Sequence, residues 1–389
     1  MRRISFNFIY LLLFLFIGIF TSCEQASDSE IESPDMPVRL SLNISPLTRA
    51  DEASPIEKVN SIRVIMTDAT GRVEYNHKKI YESYDPDSEV FEYLTTVGVK
   101  HLYVIANEES IESFSIEGKD IPDNKSLSEL LDGFTFATTG LEEYLTSLYF
   151  TPDYRNTIPA SCYYELQLKE ENEIKELYLV NVATKFYINF SNLRNDVVIF
   201  EKVAINSFAS ENYLIPKVGE SQTFIKGDYW IDWLKKVSED TNEHPDLSGD
   251  ENSNDLINDK WGWLTDYSLP TENHEPKNLI AEGAIWEVEK VSSAGNTGEV
   301  IPGKLACGPF YFPESKNGKE EQSYSIEFEI QQTGKENITL SKDLPYLKSL
   351  FRNTYVIINV EMFSAVEEIY VEIKKWVEQD PVYGTIKPE

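Results

Sequence analysis

Two bonds in this chain invite covalent chemistry. The first is at Cys23. Met1-Arg2-Arg3 is a positive start, Ile4 to Phe20 is a nearly unbroken apolar run, and Thr21-Ser22 leads into the cysteine, ahead of the acidic, polar stretch Glu24–Glu30. Residues 1–22 therefore read as a secretory signal peptide with the cleavage-site layout of a bacterial lipoprotein. Processing before Cys23 leaves a thiol to be diacylated and an amine to be acylated, and several acyl chains anchor stably where one does not. A transmembrane helix is the competing reading, but the run is short for a span and gives way to a polar stretch.

The second bond joins Arg49 to Ala50. Arg49 is the single basic residue in a small, polar, Pro-bounded stretch, Pro46 to Pro55, of the kind that proteases nick. Just before it, Val38, Leu40, Leu42 and Ile44 alternate with polar residues, the signature of a half-buried strand. An Arg-specific protease cutting after Arg49 severs that strand, together with any lipid at Cys23, from the domain it helps to close. What remains is expected to be a sheet with an open, apolar edge. Such an edge is satisfied by a strand from another chain, with main-chain hydrogen bonds giving affinity and alternate side chains giving register. The plainer alternative is an ordinary first strand beside an ordinary surface arginine.

Other chemistry finds no constellation. His77, His101, His244 and His274 lack metal-ligand spacing, and neither a G-x-S-x-G elbow nor a phosphate-binding glycine loop occurs. Asp250-Glu251-Asn252-Ser253-Asn254 begins like a calcium loop, but Asp255 stands where the turn glycine belongs and Trp261 where the bidentate acid belongs. No catalytic residue, metal or cofactor is expected, and the chain does not read as an enzyme. With 35 Lys and Arg against 66 Asp and Glu, a net charge of −31, nucleic acid and anionic lipid surfaces are poor partners. Cys162 and Cys307 are far apart in sequence; a bridge between them and two separately buried thiols both remain open.

The elements that would carry these sites are mostly strands. Ser61–Met66 ends at the turn Asp68-Ala69-Thr70-Gly71 and predicts a hairpin with Arg72–Tyr75. Val97–Asn107, Tyr163–Leu168, Lys202–Phe208, Leu305–Phe312, Tyr324–Ile330, Asn353–Met362 and Glu368–Val377 follow, cut by turns. Leu177–Phe190 is long and apolar enough to begin a new sheet. Helical spacing is confined to Ser126–Leu131 and to Leu141, Tyr144, Leu145 and Leu148. This pattern predicts an all-β protein of two tandem antiparallel β-sandwiches. The expected parts are a propeptide over residues 23–49, an N-terminal domain over 50–172 and a C-terminal domain over 173–389, divided at the charged run Lys169–Glu173. A long acidic loop on the second domain, about 219–278, holds Trp230, Trp233, Trp261 and Trp263.

The C-terminus supplies a candidate donor strand. Ile369 to Lys374 alternates, and Val371, Ile373, Val377, Val382 and Ile386 are the candidate pocket-filling residues. A terminal strand can swing out without breaking the chain. As a plain reading, Ile369–Lys374 is the final strand of the second sandwich.

Several short motifs, in order, resemble the fimbrillin (type V pilin) family of Gram-negative anaerobes. They are the lipoprotein signal, Thr48-Arg49-Ala50, the strand Val59–Asp68 ending in Gly71, and Leu102-Tyr103-Val104-Ile105-Ala106-Asn107. Val182-Ala183-Thr184-Lys185-Phe186-Tyr187-Ile188, Gly308–Ser315 with its Tyr311-Phe312-Pro313-Glu314, Arg352-Asn353-Thr354-Tyr355 and Trp376 complete the set. The resemblance implies transthyretin-like sandwiches and export as a palmitoylated outer-membrane lipoprotein. It further implies maturation at Arg49–Ala50 by an Arg-specific surface protease, and polymerisation with other fimbrial subunits by donor-strand exchange, in support of adhesion or biofilm formation. The tail departs from the family pattern in carrying Pro381, Gly384 and Pro388, poor residues inside a paired strand. The rival from another class is an uncleaved, monomeric surface glycan-binding lipoprotein that uses the tryptophan loop as a stacking platform.

Overall fold

The computed structural model describes residues 36–46, 55–119, 125–206, 208–218, 224, 226–227, 267–268, 276–294, 299–316, 324–331, 336–344, 349–363 and 367–375. Among the described residues the protein is nearly all β, and two short helices, Leu127–Asp132 and Leu141–Thr146, stand where helical spacing predicts them. Ser126 caps the first through a reciprocal bond pattern with Glu129. Leu148 leaves the second helix and begins a strand instead.

The first half builds one path of seven strands from β1 (Pro37–Pro46), β2 (Ser61–Asp68), β3 (Val73–Ile80), β4 (Val90–Thr96), β5 (Gly98–Ala106), β8 (Ala160–Leu168) and β9 (Glu173–Asn181). Two short strands, β6 (Ser113–Ile116) and β7 (Leu148–Thr151), pair apart from it. The order is β3-β2-β5-β8-β9-β1-β4. β8 and β9 meet only at Ala160–Asn181 and Ser161–Val180, so the path turns back on itself there. A single core then lies between its two halves: Val64, Met66, Leu102, Val104 and Cys162 face Leu40, Leu42, Phe91, Leu177 and Leu179. That is a sandwich.

The second half repeats the plan. β10 (Thr184–Asn192) lies between Gly303–Phe312 and Thr354–Met362, and Glu367–Lys375 pairs with Thr354–Met362 on the outside. The facing sheet holds β11 (Val198–Asn206), Tyr324–Gln331 and Ile338–Leu344. Phe186, Ile188, Phe190, Val203, Phe328, Ile358 and Val360 share the core between the two sheets.

Three expectations are corrected. The break near Asn172 does not separate the cores: β9 belongs to the first sandwich, and the charged run Lys169–Glu173 is an arch between its two sheets. Leu177–Phe190 begins no single sheet; it is divided at Val182-Ala183 between the sandwiches. Each sandwich also holds a parallel pair, β1 with β9 and β10 with Thr354–Met362, which alternation along one strand cannot reveal. The loop after Gly219 is mostly outside the described residues, including all four of its tryptophans. Its start packs on the first sandwich, where Phe224 is buried against Tyr103 and Tyr163 and Lys226 pairs with Glu165 at 3.0 Å.

Candidate functional site

β1 is the place where sequence and structure meet most sharply. Its alternation buries Val38, Leu40, Leu42 and Ile44 at 1%, 0%, 0% and 0% exposure. Proline stands at both ends of the strand. On one side β1 runs antiparallel to β4, with Val38 opposite Thr95, Leu40 opposite Tyr93 and Leu42 opposite Phe91. On the other it runs parallel to β9, with Ile44 opposite Leu177. β1 is therefore an interior strand. Its removal leaves a slot between two facing backbones, not the single open edge that alternation alone suggests.

Side chains close both ends of the slot. At the entry, the Arg39 amide donates to Asn172 Oδ1 at 3.3 Å, and the Val97 amide donates to the Met36 carbonyl at 3.2 Å. At the exit, the hydroxyl of Tyr84, from the connection between β3 and β4, donates to the Ile44 carbonyl. Burial pushes that hydroxyl above its ordinary pKa, so it remains a donor at neutral pH. Tyr81 packs edge-on against Tyr84, their ring centres 4.9 Å apart.

Pro55–Glu57 lies wedged between the sandwiches. Lys185 Nζ lies 2.9 Å from the Glu57 carboxylate, with both side chains at 5% exposure or less. The Tyr311 hydroxyl also donates to Glu57, and the Ile158 amide donates to the Ile56 carbonyl at 2.7 Å. Asn107, held in the left-handed region at φ 55°, accepts from the Asn60 amide and donates to the carbonyls of Lys58 and Ile158. The segment after the Arg49 stretch is thus anchored without help from β1.

A second buried pair completes this seam. Arg352 and Glu314, both 0% exposed, face each other, and the Glu314 carboxylate also accepts the Arg352 amide at 3.0 Å. The guanidinium donates onward to the carbonyls of Leu214 and Tyr213 and to Ser161 Oγ, all on the side of the first sandwich. The Asn353 amide donates to the Ala183 carbonyl, and the Asn181 amide donates to Asn353 Oδ1 at 3.1 Å. The motifs around Asn107, Val182–Ile188, Tyr311–Glu314 and Arg352–Tyr355, scattered in sequence, converge here.

Of the other predicted residues, Val371 and Ile373 lie in Glu367–Lys375, in register with Ile358 and Val356 of the chain's own sheet. Cys23, Arg49, Ala50, Val377, Val382 and Ile386 lie outside the described residues. Cys162 sits in the first core and Cys307 in the second sandwich, as thiols; burial pushes Cys307 up to about 12. Among the described residues no group of His, Cys, Asp and Glu is placed to hold a metal. Sequence reasoning gave Tyr84 and Glu57 no part, and it placed Lys185, Glu314 and Arg352 in motifs without seeing them as buried charges. The available signal was a charge inside an apolar run, as at Lys185 between Val182 and Ile188; buried charges persist only when paired.

No protein-family model and no curated protein sequence matches the chain. Among solved structures it is similar to the tip fimbrial protein Mfa3 from Porphyromonas gingivalis, at 11% identity and a TM-score of 0.42, over 87% of this chain and 100% of that one. It is also similar to a fimbrial assembly protein from Parabacteroides distasonis, at 10% identity and a TM-score of 0.44, over 87% of this chain and 99% of that one.

Proposed function

We propose that the protein is a structural subunit of a surface fimbrium, exported as a lipoprotein acylated at Cys23, matured by an Arg-specific protease at Arg49–Ala50, and polymerised by donor-strand exchange in support of adhesion. The observation that carries this reading is β1. Among the described residues it is the first strand, yet it fills the interior of a sheet with four core side chains. Its covalent path to the rest of the sandwich runs through the Arg49 stretch, and the segment beyond that stretch is anchored separately at Glu57.

Each of those side chains contributes about 1.5–3 kcal/mol when fully buried. Whole domains are stable by about 5–15 kcal/mol. A first sandwich stripped of β1 therefore needs a replacement strand, and a neighbouring subunit supplies it. The lipid leaves with residues 23–49, so cutting moves the subunit from the outer membrane into the fimbrium.

Arg-specific digestion of the full chain should yield a product beginning at Ala50 that forms ladders. Arg49→Ala should stay whole and monomeric, and Cys23→Ser should fail to reach the surface. Ladder formation by Arg49→Ala at the wild-type rate would reject cleavage as the trigger.

A further inference from the structure

Building on the proteolytic maturation proposed above, we infer that Arg155–Asn156 is a latent second cleavage site for the same Arg-specific protease. It is held shut by the Asp153 carboxylate and by the anchoring of Tyr154 and Ile158 on either side. Beyond Ala50 the sequence holds five arginines: Arg63, Arg72, Arg155, Arg194 and Arg352. A protease that frees the subunit must leave all five bonds whole, because each joins parts of the two sandwiches. Their side chains share one feature, for every guanidinium meets a carboxylate. Arg63 pairs with Glu108 and Asp132 at 2.7 and 2.8 Å, and Arg352 pairs with Glu314. Arg72 pairs with Asp68 at 3.4 Å, Arg155 with Asp153 at 2.5 Å and Arg194 with Asp196 at 3.0 Å.

Pairing does not protect them equally. An exposed ion pair is weak by itself, and cutting of a folded chain follows how readily the segment opens. Arg63 and Arg352, at 2% and 0% exposure, are out of reach. Arg72 closes a hairpin, where the Asp68 amide donates to its carbonyl at 3.0 Å and Gly71 holds φ 77°. That turn is too tight to lie extended in a protease cleft. The Arg194 amide donates to Asn192 Oδ1 at 2.9 Å, and its carbonyl accepts the Val291 amide at 2.9 Å.

Arg155 differs. Its side chain is 87% exposed, in the loop that joins β7 to β8, where loops are readily nicked. Its guard is local. The Asp153 carboxylate accepts the Arg155 Nε–H at 2.9 and 3.0 Å and an Nη2–H at 2.5 Å. Asp153 Oδ1 also accepts the Arg155 backbone amide at 3.1 Å. One side chain thus occupies the guanidinium that a protease pocket needs and folds the backbone into a turn. Upstream, the Tyr154 hydroxyl donates to the Val182 carbonyl in the seam at 2.9 Å, and its ring lies 6.2 Å from that of Tyr311. Downstream, Ile158 is 1% exposed, and its amide is held by the Ile56 carbonyl. Ile56 belongs to the segment that Glu57 anchors to Lys185, so a cut at Arg49 leaves this guard in place. Opening Arg155 would divide the first sandwich between β7 and β8.

The test digests the full chain with an Arg-specific endopeptidase and follows the fragments by mass spectrometry. Wild type should be cut at Arg49 first, with fragments 50–155 and 156–389 appearing later. Asp153→Ala should speed the cut at Arg155 about tenfold, through loss of the bidentate charged contact and its turn. Asp153→Asn, which keeps an acceptor for the Arg155 amide, should fall between the two. Tyr154→Phe leaves Asp153 in place, removes the bond to Val182 and should speed the same cut. Rates at Arg72 and Arg194 should not change. Equal acceleration there would mean a loosened domain and would overturn the local guard. So would a wild-type cut at Arg155 as fast as that at Arg49, or no gain from Asp153→Ala; each of these leaves maturation at Arg49 intact. A wild-type chain that stays whole at Arg49 would overturn the maturation reading, and this inference with it.

Discussion

β1 and β10 occupy the same place in their respective sheets. Each lies between an antiparallel neighbour, β4 or Gly303–Phe312, and a parallel one, β9 or Thr354–Met362. Each supplies a row of fully buried side chains: Leu40, Leu42 and Ile44 in one, Phe186, Ile188 and Phe190 in the other. What differs is the chain on either side. β10 is entered through Val182-Ala183 in the seam and leaves toward β11, and Lys185 within it is pinned by Glu57. β1 is joined to the rest of the described first sandwich through the chain that follows Pro46. The second sandwich also carries a strand, Glu367–Lys375, on the far side of its parallel neighbour. In the first sandwich that edge of β9 meets β8 at two positions and is otherwise guarded by the Tyr164 hydroxyl, which accepts the Tyr178 amide and donates to its carbonyl, each at 2.8 Å. Equal burial thus coexists with unequal attachment: the cut proposed after Arg49 would free β1, whereas β10 is joined to the described sandwiches at both ends.

The seam is where the two sandwiches are made dependent on each other, and breaking it should have the largest effect. Arg352→Ala leaves Glu314 buried without its charge partner, and removing one member of such a pair costs about 3–5 kcal/mol. Denaturant unfolding should show that loss, while Arg352→Met with Glu314→Leu should recover much of it. The comparison of β1 with β10 is tested next. Leu42→Ala and Ile188→Ala should each destabilise the uncut chain by about 2–5 kcal/mol. After cleavage and loss of β1 only Ile188→Ala should still matter; a persisting Leu42 effect would mean that the cut strand stays in place.

A third measurement concerns the flank of the first sandwich. Burial by itself would raise the Glu108 carboxyl, but hydrogen bonds and charge from Arg63 and Lys78 outweigh it and hold the group below its ordinary value. A carboxylate depressed in the folded state stabilises above its unfolded value, and that contribution is lost as pH falls through the folded one. Acid unfolding should therefore begin in the first sandwich. Glu108→Gln should cost about 1.5–3 kcal/mol at neutral pH, as for hydrogen bonds to charged groups, and should flatten the acid dependence seen by calorimetry. The smallest effect belongs to the Tyr84 hydrogen bond onto β1. Tyr84→Phe removes one hydrogen bond, worth about 0.5–1.5 kcal/mol. It should hasten release of the cut strand without altering the rate of cutting.

Much of the architecture was readable from one residue to the next. The alternation of Val38, Leu40, Leu42 and Ile44 determined that this segment is a strand with one buried face, because side chains project with a period of two. Asp68–Gly71 determined a hairpin, and Ser126 with Glu129 a helix start, because turn and cap chemistry is local. The apolar strands cut by turns fixed the all-β class. Only the tertiary structure decided that β1 lies inside its sheet, since a pattern within one strand reports which face is buried and never which strands stand beside it. The same blindness placed a boundary before β9 and hid both parallel pairs, whose partners are more than a hundred residues apart. Tertiary structure also decided which charges are buried. Glu57 with Lys185 and Glu314 with Arg352 are unremarkable one at a time in sequence, and they become a seam only because folding brings each to the one partner that offsets its loss of water.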